Sequence, residues 1–316
     1  MKYRAGFVSI LGRPNAGKST LLNALMGTKL AIVGPRPQTT RTAIQGVLTL
    51  PGAQMVFVDT PGIHESSTLL NKRMMDQVRA SSEADVVLFV VDATAAPKDE
   101  DAQAVDLVKK TGSAAIAVFN KVDQLRDKAK ILALIERYQG LHDFAAYIPI
   151  SALKGEGVDL LRKEILARMP VGHALFPKDQ LTDQPERFLA AEILREKVLQ
   201  LTHQEVPHAV AVMVDQWEDT PTLLRIAATI YVERQGQKAI LIGAGGASLK
   251  KIGTLARREL EQRTGKKVFL QTFVKVRPNW RQDPEFLPAT DWRSMVGSRR
   301  ECRIKTCCRG SKLCCL

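Results

Sequence analysis

Short apolar runs alternate with amphipathic stretches through the first half of the chain. Residues 6–11, 55–58, 86–91, 115–119 and 147–150 are rich in Val, Ile and Phe and have the length of buried strands. Between them, residues 18–26, 70–82, 100–110, 129–138 and 158–169 space their apolar positions for one face of a helix. Residues 43–50 predict one further strand. Alternating strands and helices predict an α/β unit, a mostly parallel sheet flanked by helices.

After Met169-Pro170-Val171-Gly172 the pattern changes. Residues 173–185, with Pro177 and Pro185 and little periodicity, read as a linker. Residues 186–202 then predict a helix, 209–216 and 224–233 strands, 238–242 and 249–263 helices separated by residues 243–246, and 267–276 a strand. That order describes a compact α+β unit. The expected organisation is residues 1–172, a linker over 173–185, a second domain with a C-terminal extension over 186–298, and a tail over 299–316.

Composition narrows the class. With 45% hydrophobic and 25% charged residues the chain is ordinary globular protein. No apolar run approaches the roughly 18 residues of a membrane span. The N-terminal residues lack the apolar core of a signal sequence. All five cysteines, Cys302, Cys307, Cys308, Cys314 and Cys315, fall in the tail, and a cysteine-free body fits a reducing compartment. A cytoplasmic monomer is the expectation. The net charge is +13, and residues 235–281 hold 11 basic and 2 acidic side chains, which points to a polyanionic partner. A basic surface would also suit peripheral attachment to the inner face of the cell membrane. The tail is expected to be disordered.

The candidate chemistry begins at Gly12-Arg13-Pro14-Asn15-Ala16-Gly17-Lys18-Ser19, which fits G-x-x-x-x-G-K-[ST] between a predicted strand and a predicted helix. Such a loop turns backbone N–H groups onto phosphate oxygens, aided by the helix N-terminus. Gly12, Asn15, Ala16, Gly17, Lys18, Ser19 and Thr20 are the expected contacts. Lys18 brings charge to the outer phosphates and Ser19 a hydroxyl to Mg²⁺. Asp59-Thr60-Pro61-Gly62 ends the strand at 55–58, where Asp59 would face the crevice of an open sheet and hold Mg²⁺ through its water shell. The Gly62 N–H would meet the γ-phosphate. Asn120-Lys121-Val122-Asp123 follows the strand at 115–119. Asp123 can accept from guanine N1–H and the 2-amino group, Asn120 can brace the loop, and Lys121 can lie over the base. Ser151-Ala152-Leu153 can offer the Ala152 N–H to guanine O6. The four motifs in this order make GTP or GDP the expected ligand.

These motifs resemble those of the translation-factor-related small GTPases, and residues 1–298 resemble the Era family of ribosome-assembly GTPases, whose pattern GRPNAGKSTLLNAL, PRPQTTR, DTPG, NKVD and SAL follow. The resemblance implies a P-loop GTPase domain followed by a type II KH domain. It implies that Thr40, with Thr39 the alternative, joins Ser19 and Asp59 on Mg²⁺ in the triphosphate state only. Ile63 stands where Ras-like enzymes carry a water-orienting glutamine, so slow intrinsic hydrolysis stimulated by a partner is expected. His64 follows it. Asn15, by resemblance, could hold a K⁺ ion, and Lys18, Thr40, Gly62 and Asn15 form the expected catalytic set.

Ile242-Gly243-Ala244-Gly245-Gly246, followed by Lys250-Lys251-Ile252-Gly253, resembles the KH signature. Its loop would clamp about four nucleotides, their bases on an apolar groove. Ile240, Ile242, Leu249 and Ile252 are groove candidates, with core packing the alternative for some. Lys250, Lys251, Arg257 and Arg258 are the expected phosphate contacts, although the loop interior, Ala244-Gly245, lacks the basic residue common in the family. Trp280 could stack on a base or serve as a buried anchor. The resemblance implies the 3′ end of small-subunit ribosomal RNA and the 30S subunit as partners, with a role in 30S assembly. The rival readings are a constitutive RNA-binding module that merely holds GDP, and a membrane-surface GTPase.

Overall fold

The computed structural model describes residues 2–34, 39–62, 68–81, 84–127, 129–202 and 206–292. The first unit runs β1 (Arg4–Gly12), α1 (Lys18–Met26), β2 (Ile44–Leu50), β3 (Ala53–Asp59), α2 (Leu69–Ser81), β4 (Val86–Asp92), α3 (Asp99–Thr111), β5 (Ala114–Asn120), α4 (Lys130–Gln139), β6 (Ala146–Pro149) and α5 (Val158–Arg168). Its six strands lie in the order β2-β3-β1-β4-β5-β6. All pair in parallel except β2, which runs against β3. The unbroken apolar run of β4 before Asp92 is buried on both faces, as a parallel sheet requires. Val8, Ile10, Leu21, Leu25, Leu161 and Ile165 build the core on one face, and Leu11, Phe89, Val105, Phe119 and Tyr138 on the other. The chain leaves β1 toward β3 and later crosses back to β4. The crevice beyond the carboxyl ends of these strands is therefore a topological switch point.

Residues 173–185 do more than connect. The Val47 N–H donates to the Leu181 carbonyl (2.8 Å), Thr182 Oγ1 to the Gln45 carbonyl (2.6 Å), and the Leu175 and Phe176 N–H groups to buried Gln54 Oε1 (2.7 and 2.9 Å). The segment covers the free edge of β2, which would otherwise be left unpaired. Its irregular sequence reads as a linker because a covering strap needs backbone groups and no apolar period.

The second unit runs α6 (Glu186–Leu201), β7 (Ala211–Asp219), β8 (Leu223–Val232), α7 (Gln235–Ile242), α8 (Ala247–Thr264), β9 (Lys267–Val276) and the one-turn α9 (Phe286–Ala289). Its sheet has the order β7-β8-β9, antiparallel then parallel, and α6 and α8 pack over one face. β7 runs three residues beyond the apolar pattern because pairing with β8 continues past a bulge at Val214/Gln216. α7 starts three residues early. There Gln237 Oε1 accepts from the Glu233 and Arg234 N–H groups (2.9 and 3.0 Å), a polar start that hydrophobic periodicity does not register.

The two units are joined by side chains. Leu70 and Met74 of α2 share a buried cluster with Ala211, Trp280, Phe286 and Leu287. Lys29 reaches Glu196 on α6 and Glu259 on α8, both at 2.6 Å. Trp280 is 1% exposed and donates Nε1–H to the Ala209 carbonyl (2.9 Å), so it is an anchor at this junction and no platform for a base. Among the described residues no helix is long and apolar enough to cross a membrane.

Candidate functional site

Residues 12–19 leave the carboxyl end of the central strand β1, turn and start α1. Gly17 sits at φ 93°, and a Cβ there would lie 2.3 Å from Asn120 Nδ2, so the loop closes only with glycine. Lys18 folds back and donates to the Gly12 and Arg13 carbonyls (3.0 and 2.9 Å). Burial lowers its ammonium pKa to about 8, against the opposing pull of the Asp59 charge. An anion arriving here meets a desolvated cation already aimed into the loop.

The three expected metal ligands converge. Ser19 Oγ and Thr40 Oγ1 are 2.8 Å apart, and each donates to Asp59 Oδ2 (2.8 and 2.9 Å). Burial raises the Asp59 carboxyl, with the Lys18 charge and the two hydroxyl hydrogen bonds acting the other way. Asp59 Oδ1 is buried with no hydrogen-bond partner among the described residues. An orphaned carboxylate oxygen beside two hydroxyls is a hard, all-oxygen set that fits Mg²⁺. Of the two threonines, Thr40 occupies this position.

The cavity over these groups has a volume of about 540 Å³ and is lined by Asn15, Gly17, Lys18, Ser19, Thr20, Thr39, Thr40, Gly62 and Lys121, among others. Asn15 sits in the left-handed region at φ 63°, exposed on the cavity wall. Ala16 is buried beneath the loop. Gln200 of α6 also lines the cavity, bringing the second unit to the nucleotide site.

On the base side, buried Asn120 donates Nδ2–H to the Ala16 carbonyl and accepts from the Ala152 N–H, both at 2.9 Å. It ties the P-loop to the loop after β6. The Ala152 N–H, expected to face guanine O6, is thus committed to Asn120 here. The Asn120 side-chain oxygen takes this donor, which residue spacing does not reveal. Lys121, at φ 69°, donates to Asp92 Oδ2 (2.5 Å). Burial would raise the Asp92 carboxyl, but the hydrogen bonds from Lys121 and Thr94 outweigh it and hold it low. Asp123 follows in a single 3-10 turn, half-buried, Ser151 is fully buried, and Leu153 is 75% exposed. Asp92, which fixes Lys121, and Asp101, which pairs with buried Arg13 at 2.9 Å, are supporting groups that the motifs did not mark. Asp92 ends β4 and Asp101 lies in the first turn of α3, the one signal available for them.

In the second unit α7 and α8 meet at Gly243–Gly246. Gly243 has φ 71°, and a Cβ would sit 2.8 Å from Ser248 Cβ. Ala244 and Gly245 are exposed. Beside this turn lies a groove lined by Gly246, Leu249, Lys250, Gly253, Thr254, Arg257, Leu270 and Thr272. Lys250 and Arg257 share a helix face, seven residues apart. Lys251 and Arg258 are exposed one position further round α8, on the flank of this groove. Ile252 is core, Ile242 and Leu249 are partly buried against it, and Ile240 is exposed.

Thr40 is held from both sides by the second unit. Arg195 of α6 donates to the Thr39 carbonyl and Arg41 to the Val210 carbonyl, with the Arg41 guanidinium 5.5 Å from the centre of the Trp280 ring. The Val33 N–H donates to Glu196 Oε1 (3.0 Å). Pro37, Gln38, Ile63, His64 and residues 299–316 lie outside the described residues.

A family model described as a 50S ribosome-binding GTPase matches residues 7–121, and a KH domain model matches residues 205–281. The GTPase Era of Syntrophus aciditrophicus is 47% identical over 288 residues, 90% of this chain and 94% of that protein. That of Geobacter metallireducens is 48% identical over 90% of this chain and 96% of its own. A crystal structure of an Aquifex aeolicus Era variant bound to GDP and aluminium tetrafluoride superposes with a TM-score of 0.89 at 42% identity, covering 92% of this chain and 99% of that one. A crystal structure of Era with MgGDPNP and nucleotides 1506–1542 of 16S ribosomal RNA superposes equally well, again at 42% identity. With the P-loop, the guanine-side loops and the KH turn in one chain, and this similarity over nine-tenths of its length, the chain belongs to the Era family of GTPases.

Proposed function

We propose that the chain is a GTP-hydrolysing switch that grips small-subunit ribosomal RNA near its 3′ end and assists maturation of the 30S subunit. The observation that carries this reading is the position of Thr40. It touches Ser19 and Asp59, and its two neighbours in sequence are bonded to the second unit. A change at the γ-phosphate that moves Thr40 must therefore strain or release contacts to α6 and to the segment before β7. The 16S fragment bound by the Era relative of the same fold supports ribosomal RNA as the partner.

In this reading Lys18 and the P-loop N–H groups hold the phosphates, and Asp123 selects guanine. Ser19, Thr40 and Asp59 would hold Mg²⁺, which neutralises charge on the β- and γ-phosphates. Lys250 and Arg257 neutralise RNA phosphates along the groove while Leu249 and Leu270 meet the bases. Asn15, exposed on the cavity wall beside Lys18, is the candidate K⁺ ligand. With Ile63 unable to orient water, intrinsic turnover is slow.

Single-turnover GTP hydrolysis with and without small ribosomal subunits tests the reading. It expects at least a tenfold acceleration by the subunit, and a further dependence on K⁺ over Na⁺. A rate that subunits leave unchanged favours the constitutive RNA-binding alternative.

A further inference from the structure

All ten phenylalanines lie among the described residues, and eight are buried or partly buried. The two exceptions, Phe269 and Phe273, are each 51% exposed and stand on the same face of β9. The strand alternates without a break. Val268, Leu270, Thr272, Val274 and Val276 point toward the helices, and Lys267, Phe269, Gln271, Phe273 and Lys275 are exposed on the opposite face. The inward set already supplies the core, so the fold does not call for aromatic residues outside.

The surroundings favour a nucleic-acid partner. Every charge on the exposed face of β9 is basic. In the paired strand, Arg225 lies opposite Phe269, and small Ala227 lies opposite Gln271. With Gln216 and Glu218 they bound a shallow recess of about 200 Å³ next to the Phe269 ring. The acidic groups of β7 have basic or hydroxyl neighbours. Asp219 pairs with Lys266 (2.5 Å), Asp215 accepts from Thr229 (2.7 Å), and Glu218 faces Arg225 (3.8 Å). At the far end Tyr231 is covered by Phe286 of α9 (ring centres 4.9 Å), which leaves the Phe269–Phe273 stretch open. β9 is also the edge strand of its sheet, and its other face supplies Leu270 and Thr272 to the groove beside Gly246. A strand of RNA longer than the four or so nucleotides a KH groove holds can cross this edge and meet the outer face.

We propose that Phe269 and Phe273 form a second single-stranded RNA platform on the outer face of the KH sheet, one base stacking on each ring, with Lys267 and Lys275 neutralising the flanking phosphates. The rings are about 13 Å apart along the strand, with Gln271 between them as a hydrogen-bonding spacer. Stacking on exposed aromatics tolerates any base, so this face adds affinity and reach to a groove that reads sequence. The inference rests on the RNA-binding reading above.

The probes are the twelve 3′-terminal nucleotides of small-subunit ribosomal RNA and nested five-nucleotide pieces of it. In the Phe269→Ala/Phe273→Ala double variant, affinity for the twelve-nucleotide RNA should fall by roughly tenfold or more. Affinity for the tightest five-nucleotide piece and intrinsic GTP hydrolysis should stay within about twofold, and Phe273→Trp should restore part of the loss. Unchanged affinity for the longer RNA overturns the proposal, as does an equal loss on both RNAs, which would mark a damaged groove. Loss of small-subunit binding without any loss of RNA affinity also overturns it, by assigning the face to a protein. Should the unaltered chain bind neither RNA, the RNA-binding reading itself fails.

Discussion

Arg195, on the first helix of the KH unit, donates a hydrogen bond to the backbone carbonyl of Thr39, the residue before the threonine that meets Ser19 and Asp59. Its guanidinium is fully buried and braced by Glu192 on the preceding turn (2.6 Å). With Arg41 bonded in the opposite direction, to Val210, the segment around Thr40 has one arginine crossing the domain junction each way. The segment around Thr40 and the KH unit are thus joined through two backbone carbonyls.

Removing this link should uncouple the two activities. In Arg195→Ala the intrinsic hydrolysis rate should change by no more than a few-fold, because Arg195 touches no reacting atom. The difference in RNA affinity between the GTP-analogue and GDP states should shrink toward zero. Stripping a partner from Glu192 and Thr39 should also lower unfolding stability by about 1–3 kcal/mol, measurable by thermal or denaturant unfolding. A variant that keeps the full difference in RNA affinity would contradict the link.

Thr40→Val preserves shape but removes the hydroxyl that meets Ser19 and Asp59. GTP hydrolysis should fall by about 10²-fold, the scale of losing several kcal/mol of charge stabilisation at the phosphates. GDP affinity should stay within about twofold. Equal losses for both nucleotides would show that Thr40 acts on folding of the site and not on the triphosphate state.

Asp123 carries the choice of base. Asp123→Ala should weaken GTP binding by roughly 10²-fold, from the loss of two charge-assisted hydrogen bonds, while leaving weak ATP binding unchanged. Competition titration of the two nucleotides reads the ratio. A preserved preference for guanine would move recognition to Asn120 and Ala152.

The clasp of Lys29, Lys197, Glu196 and Glu259 gives the junction a pH profile. Burial alone would raise the Glu259 carboxyl, but the hydrogen bonds and charges of Lys197 and Lys29 outweigh it and hold it below its ordinary 4.5. Burial would lower the Lys197 ammonium, but the hydrogen bonds and charges of Glu196 and Glu259 outweigh it and hold it above its ordinary 10.5. A depressed acid stabilises the fold above 4.5 and loses that contribution as pH falls through its folded value. A raised base stabilises below 10.5 and loses it as pH climbs through its own. Stability from the clasp should therefore be flat through neutrality and fall at both ends. Glu259→Gln should flatten the acid limb and lower stability at pH 7 by about 1 kcal/mol, read by thermal unfolding across pH. An acid limb that Glu259→Gln leaves intact would assign it to other carboxylates.

Chemistry written in contiguous residues was legible in the sequence. The P-loop, Asp59, the Asn120–Asp123 run and the glycine turn of the KH unit each occupy a few neighbouring positions, and their spacing follows from the atoms they must present. Contacts between elements far apart in the chain were not. Arg195, Glu196 and Gln200 look like the polar side of a helix, yet they meet Thr39, Val33 and the nucleotide cavity. Arg258 and Lys251 look as basic as Arg257 and Lys250, and only the phase of α8 separates the groove from its flank. The strap over β2 carries no period because it works through backbone groups. The two exposed rings of β9 hid inside an alternation that reads as an ordinary strand.

In the proposed switch, occupancy of the P-loop site sets the grip of the KH groove on RNA. That dependence is tested most directly by the dissociation constant for the 3′-terminal segment of small-subunit ribosomal RNA, measured with a non-hydrolysable GTP analogue and with GDP at fixed Mg²⁺ and salt. A coupling of about 1–3 kcal/mol between the sites predicts constants that differ by roughly tenfold or more. Constants that agree within twofold would contradict it.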